Sequence, residues 1–168
     1  MNSRLRINVI GALVVTLLMT AAAPDAPVAD AAQRGELEMV RSLLRQGADV
    51  NAAQGDGMSA LHWAAMNGDA DMAGVLMYAG ANLESTTRLG GYTAVHLASK
   101  GGYADVIGTL IDGGASVSAT TSTGVTALHY AAAAGRAEAV SVLVAAGTEV
   151  DAREHTNDLT PLMWATAS

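Results

Sequence analysis

Three of the four histidines sit in one recurring context: Ala60-Leu61-His62-Trp63-Ala64-Ala65, Ala94-Val95-His96-Leu97-Ala98-Ser99 and Ala127-Leu128-His129-Tyr130-Ala131-Ala132. They stand 34 and 33 residues apart. Imidazole titrates near neutral pH and binds divalent metals. Three at regular spacing could therefore be metal ligands, proton carriers or parts of a scaffold that repeats. The fourth, His155, falls in a polar stretch and reads as a solvated loop residue. The acidic pairs Glu36/Glu38 and Asp69/Asp71 follow Gly35 and Gly68, where helices are expected to begin. Negative charge is favourable at a helix N-terminus, which accounts for them without a calcium or catalytic role. No phosphate-cradling loop, HExxH or GxSxG pattern occurs, and no triad forms around a nucleophile. With no cysteine, disulfides, thiolate nucleophiles, cysteine zinc sites and a lipoprotein anchor are all excluded. These residues imply no cofactor, no metal and no enzyme.

The elements that would position these side chains follow from composition. At 168 residues, 51% of them apolar, the chain fits a single core. That core is rich in Ala, Val, Leu and Met and has no Phe, which suits thin, closely packed helices and argues against a β-sandwich. Eighteen glycines against three prolines suggest many short elements punctuated by glycine. The net charge of −7 leaves no basic footprint for nucleic acid. The start, with Arg4 and Arg6, an apolar run from Ile7 to Thr20 and then Ala21-Ala22-Ala23, has the layout of a secretory signal peptide. Cleavage is expected after Ala22, giving a leader at 1–22 and a domain at 23–168 in the bacterial periplasm or outside the cell. The run is shorter than the ~20 residues of a membrane span, so no membrane association is expected after cleavage.

The domain is internally periodic. Ser59, Thr93, Thr126 and Thr160 recur at spacings of 34, 33 and 34. Each precedes an Ala-rich segment and is a natural N-cap. These segments end near Gly35, Gly68, Gly102 and Gly135, as left-handed C-caps require. A second segment carries an apolar stripe, as in Met72, Ala73, Leu76 and Met77 or Val106, Ile107, Leu110 and Ile111, and ends at Gly47, Gly80, Gly114 or Gly147. A polar stretch leads to the next unit, with Gly57, Gly91 and Gly124 two residues before the hydroxyl. The units run over about 24–56, 57–90, 91–123 and 124–157, with a partial one at 158–168. Neither helix of a unit can bury its stripe alone, so the period exists because stacked units share one core.

With these motifs in register, the units resemble ankyrin repeats. The signature Thr-Pro-Leu-His-x-Ala corresponds to Ser59–Ala64, Thr93–Ala98 and Thr126–Ala131, and the Gly-Ala-Asp-Val-Asn close to Gly47–Asn51. Alanine replaces the signature proline at 60, 94 and 127, while Pro27 and Pro161 keep it. The resemblance implies an all-α solenoid of stacked helix-turn-helix units with protruding loops and β-turns. It also implies structural histidines that tie the hydroxyl residue and adjoining turns together. His62, His96, His129, Gly68, Gly102 and Gly135 then belong to the scaffold. Histidines in successive layers would not share one ion, because His–Zn bonds are only roughly 2.0–2.1 Å. The glycines at 74 and 108 should weaken second helices by about 1 kcal/mol each, softening the middle of the stack.

The resemblance further implies a concave face, built from turn tips and first helices, that binds another protein. By register the tips are Met58, Tyr92, Val125 and Leu159, expected as an exposed apolar row; the first helices add Trp63, Leu97 and Tyr130, with Met66, Asn67 and Lys100 near their ends. Aromatic and Met side chains are common interface anchors. At the carboxyl end Leu162, Met163 and Trp164 are expected to face nothing, which implies that the chain continues past Ser168 or that another molecule, such as a second subunit, covers this end. The expected function is a non-catalytic, exported interaction module with an unidentified protein partner. The alternatives are the docking arm of a longer enzyme or sensor, and a secreted effector acting on a host protein.

Overall fold

Ser59 and Thr93 each have extended backbone, with φ −88° and −89°, immediately before a helix. Gly68 and Gly102 end those helices in the left-handed region at φ 72°. The computed structural model describes residues 25–166, so the leader expected at 1–22 lies outside the described residues. Among them the elements are α1 Pro27–Gln33, α2 Leu37–Arg45, α3 Ala60–Asn67, α4 Ala70–Tyr78, α5 Ala94–Gly101, α6 Ala104–Asp112, α7 Ala127–Ala133, α8 Ala137–Ala145 and α9 Pro161–Thr166. Isolated β-bridges, Ala53 with Ser59 and Thr120 with Thr126, close two of the loops. The protein is an all-α repeat solenoid.

The second helices start as their acidic residues suggest. The Asp69 carboxylate accepts the Met72 N–H at 2.8 Å, satisfying one of the free donors of α4. Glu36 instead pairs with Arg34 at 2.9 Å. Two layers result. The first helices stack in the order α1, α3, α5, α7, α9, and α4, α6 and α8 stack behind them. Ala64, Ala65, Ala98 and Ala131 are fully buried between first helices and let them approach closely. Met72, Leu76, Ile107, Leu110 and Leu143 fill the space between the layers. The first-helix row packs more tightly than the second-helix row, so the stack bends with the first helices on the inside of the curve.

The alternating period has a local cause. Each tip is closed by a backbone bond: Gln54 N–H to Met58 O, Thr87 to Tyr92, Thr121 to Val125, and Glu154 to Leu159, at 2.9–3.1 Å. The second and fourth of these tips hold one residue more than the others, and those are the units spaced by 34. The tips also bond to one another, through Arg88 N–H to Asp56 O at 2.8 Å, Ser122 to Gly90 at 3.0 Å and His155 to Thr123 at 2.8 Å. Gly57 shows how tight this stacking is. Its φ is +86°, and a Cβ there would lie 2.7 Å from the Arg88 nitrogen.

Candidate functional site

His62 is 1% exposed, and both of its ring nitrogens are engaged. Nδ1 accepts the Ser59 N–H at 3.1 Å and meets the Ser59 hydroxyl at 2.8 Å. A nitrogen that accepts a backbone N–H carries no proton, so the ring is the neutral Nε2–H tautomer. Nε2 therefore donates, to the Tyr92 carbonyl of the next unit at 3.0 Å. His129 repeats the pattern, with the Thr126 N–H and hydroxyl on Nδ1 and the Leu159 carbonyl on Nε2. His96 keeps the Thr93 contacts but its Nε2 has no hydrogen-bond partner. Burial pushes the His62 and His96 imidazoles below the ordinary histidine value. Nearby carbonyls pull the other way; for His96 the first of these is Val125, outside hydrogen-bonding geometry. Lone pairs engaged in this way leave nothing to bind a metal. Among the described residues no three or more His, Asp or Glu are grouped as metal ligands would be.

The tip expectation needs correction. Met58 and Val125 are buried, at 6% and 4% exposed, and so is Leu97 in α5 at 6%. Because the tips bond edge to edge, an apolar residue before the hydroxyl turns into the seam, and Met58 joins the main core. These three side chains therefore offer no surface to a partner. Leu159 is half-buried. Asn67 is exposed, but its amide donates to the Ala32 carbonyl at 3.1 Å and caps the preceding first helix. The half-buried Trp63 donates from Nε1 to Gln54 Oε1 at 2.8 Å, and Gln54 Nε2 reaches Asp30 at 2.6 Å, joining units one and two.

Tyr92 and Tyr130 come together with a ring not foreseen as part of the site. Tyr92, Tyr130 and Trp164 form a column of rings on the inner side of the curve. Tyr92 and Tyr130 centroids are 5.8 Å apart, and Tyr130 and Trp164 lie edge to face at 5.7 Å. His96 and His129 back the column: His96 is 6.3 Å from Tyr130, and His129 is 5.3 Å from Trp164. Trp164, expected to face nothing, is half-buried through these contacts, whereas Leu162 and Met163 are exposed at 74% and 44%. The Tyr130 hydroxyl donates to that of Tyr92 at 3.3 Å. Burial first, and that bond second, raise the Tyr130 phenol well above its usual range. Lys100 Nζ lies 6.0 Å from the Tyr92 ring centroid, and Met66 is 42% exposed at the end of α3.

Sequence spacing also missed Leu89, which is 80% exposed on the longer tip loop. The Thr87 hydroxyl, donating to the Leu89 carbonyl at 2.8 Å and accepting the Tyr92 N–H at 3.1 Å, fixes that loop. In the fourth tip the Glu154 carboxylate takes over this role, accepting N–H bonds from Thr156, Asn157 and Leu159. Burial works to raise its pKa, and these donors outweigh burial to hold it below the usual glutamate value. The extra residue in alternate tips was the available signal for both loops.

Among the described residues no helix is long and apolar enough to cross a membrane. The search of curated proteins returned no match. The family model for ankyrin repeats (3 copies) matches residues 28–121 and 110–168. With helix pairs, histidine ties and stacked tips in register over that span, the chain belongs to the ankyrin-repeat family, whose repeats are protein–protein interaction modules.

Proposed function

We propose that the protein is a non-catalytic binding module, exported to the bacterial periplasm or beyond, whose inner face holds a protein partner. The observation that carries this reading is the ring column of Tyr92, Tyr130 and Trp164, flanked by Lys100 and by the exposed Leu89. Rings already held by neighbours lose little freedom on binding, so their apolar faces and polar edges are inexpensive to bury. Lys100 would add orientation through a carboxylate or carbonyl of the partner. The buried histidines set the spacing of this surface and take no part in chemistry. Export rests on the charged, apolar and small-residue order of the leader.

Affinity capture from periplasmic extract tests the reading. The protein is compared with a Leu89→Asp/Lys100→Glu variant, in which both changes fall on exposed side chains and spare the core. The expected result is one or more proteins retained by the parent and depleted at least tenfold by the variant, with equal circular dichroism. Equal capture by both would remove the inner face from consideration. Leader cleavage is checked separately by intact mass of the protein from the periplasmic fraction.

A further inference from the structure

The second helices do not stack evenly. α4 packs on α6 and α6 on α8, whereas α2 packs on α1 and stands off from α4. The gap between α2 and α4 is an open cleft of about 360 Å³ on the outer side of the curve, opposite the ring column. Its walls are Arg41, Leu44 and Arg45 from α2 and Val75, Tyr78 and Ala79 from α4. Leu44, Val75 and Ala79 make an apolar floor. Tyr78 is 97% exposed, so no described residue covers its ring. The positions that correspond to it in α6 and α8 are Asp112 and Ala145, which present no such surface.

The charge of the cleft is opposite to that of the whole molecule. The chain carries −7, yet no acidic residue lines this gap and two guanidinium groups do. Arg41 is paired with Glu38 at 2.7 Å, and Arg45 forms no ion pair among the described residues. Arg41 and Arg45 are four residues apart on one helix, so they point in the same direction. A guanidinium fork matches a carboxylate bidentately, and Arg and Tyr are the side chains most often found to anchor interfaces.

From these features we infer that the α2–α4 cleft is a second docking site, separate from the inner face, for an acidic peptide segment. Its carboxylates engage Arg41 and Arg45, an apolar side chain between them enters the floor of Leu44, Val75 and Ala79, and Tyr78 closes over it. Charge complementarity selects this occupant: no acidic residue lines the gap, Arg45 has no ion-pair partner among the described residues, and the apolar floor suits a side chain better than a lipid headgroup. A second copy of this acidic chain is the competing occupant, and self-association in solution that the Arg45→Glu/Tyr78→Ala change abolishes would overturn the inference.

A phage-displayed library of random twelve-residue peptides, panned on the immobilised purified protein, tests the inference. Bound phage are counter-selected on an Arg45→Glu/Tyr78→Ala variant, whose two changed side chains are exposed. The expected pool is enriched in peptides with two or more carboxylates flanking an apolar or aromatic residue. A fluorescein-labelled member should bind the parent at least tenfold more tightly than the variant, with affinity falling as salt rises. Neutral or basic peptides, or equal affinity for both proteins, would overturn the inference. So would binding confined to phosphatidylglycerol vesicles. Matching thermal melts of parent and variant guard against a folding artefact, and if they differ, Arg45→Gln alone replaces the variant in the same comparison.

Discussion

Mild acid should destabilise this protein in a pH window set by its buried imidazoles. His62 and His96 are each 1% exposed, and burial holds both below the ordinary 6.5. As pH falls through about 6.5 the unfolded chain takes up protons at these rings ahead of the folded chain. The unfolded state then binds more protons, so stability falls as pH falls. The loss stops growing once the folded rings also protonate, at their lowered values. The ceiling on this loss between pH of about 7.5 and about 5.5, reached when the folded rings take up no proton at all, is about 1.4 kcal/mol per histidine, or about 2.7 kcal/mol for the pair. That is a large fraction of the ~5–15 kcal/mol by which domains of this size are stable. Urea denaturation followed by circular dichroism at several pH values measures it. In a His62→Gln/His96→Gln variant the starting stability is lower and most of the slope across this window disappears. Stability that is flat or rising on acidification in the parent, or an unchanged slope in the variant, would refute the neutral-tautomer assignment.

Other expectations follow from single contacts. His62→Ala should cost about 1 kcal/mol more than His96→Ala, because His62, unlike His96, ties its unit to the next through Nε2; paired urea midpoints show the difference, and equal costs would count against the cross-unit bond. Gly74 and Gly108 lie inside helices with nothing within 4 Å of an added Cβ. Gly74→Ala and Gly108→Ala should each stabilise by roughly 0.5–1 kcal/mol, and a lower melting temperature in either would mean that the glycine is needed for packing. Gly57→Ala should destabilise by about 1–2 kcal/mol from its left-handed backbone alone, with more from the approach to the Arg88 nitrogen; a melt within a degree of the parent would contradict the tip stacking.

The repeat was legible because its signals are local. A hydroxyl at the N-cap, histidine three residues on and glycine after the last turn are each dictated by backbone geometry within one unit, so their period exposes the architecture. The side-chain directions at the tips were not legible in the same way. Met58, Tyr92 and Val125 share a register position, yet Met58 and Val125 turn into the seam and Tyr92 joins the ring column. What separates them is the extra residue in the Tyr92 loop and the aromatic ring waiting at Tyr130, a contact 38 residues away. Trp164 was misjudged for a similar reason: the partial last unit looked unsupported, and its ring is held by His129 and Tyr130 of the unit before. The cleft beside Tyr78 arises from the unequal spacing of α2 and α4, which no single stripe records.

Hydrogen–deuterium exchange of the protein, alone and with a captured partner, decides whether the inner face is the binding surface. Slower exchange should concentrate in the tip and first-helix stretches 85–101 and 121–134, with α6 and α8 unchanged. Protection centred on the second helices, or none in either stretch, would mean that the ring column holds the repeats together and nothing else.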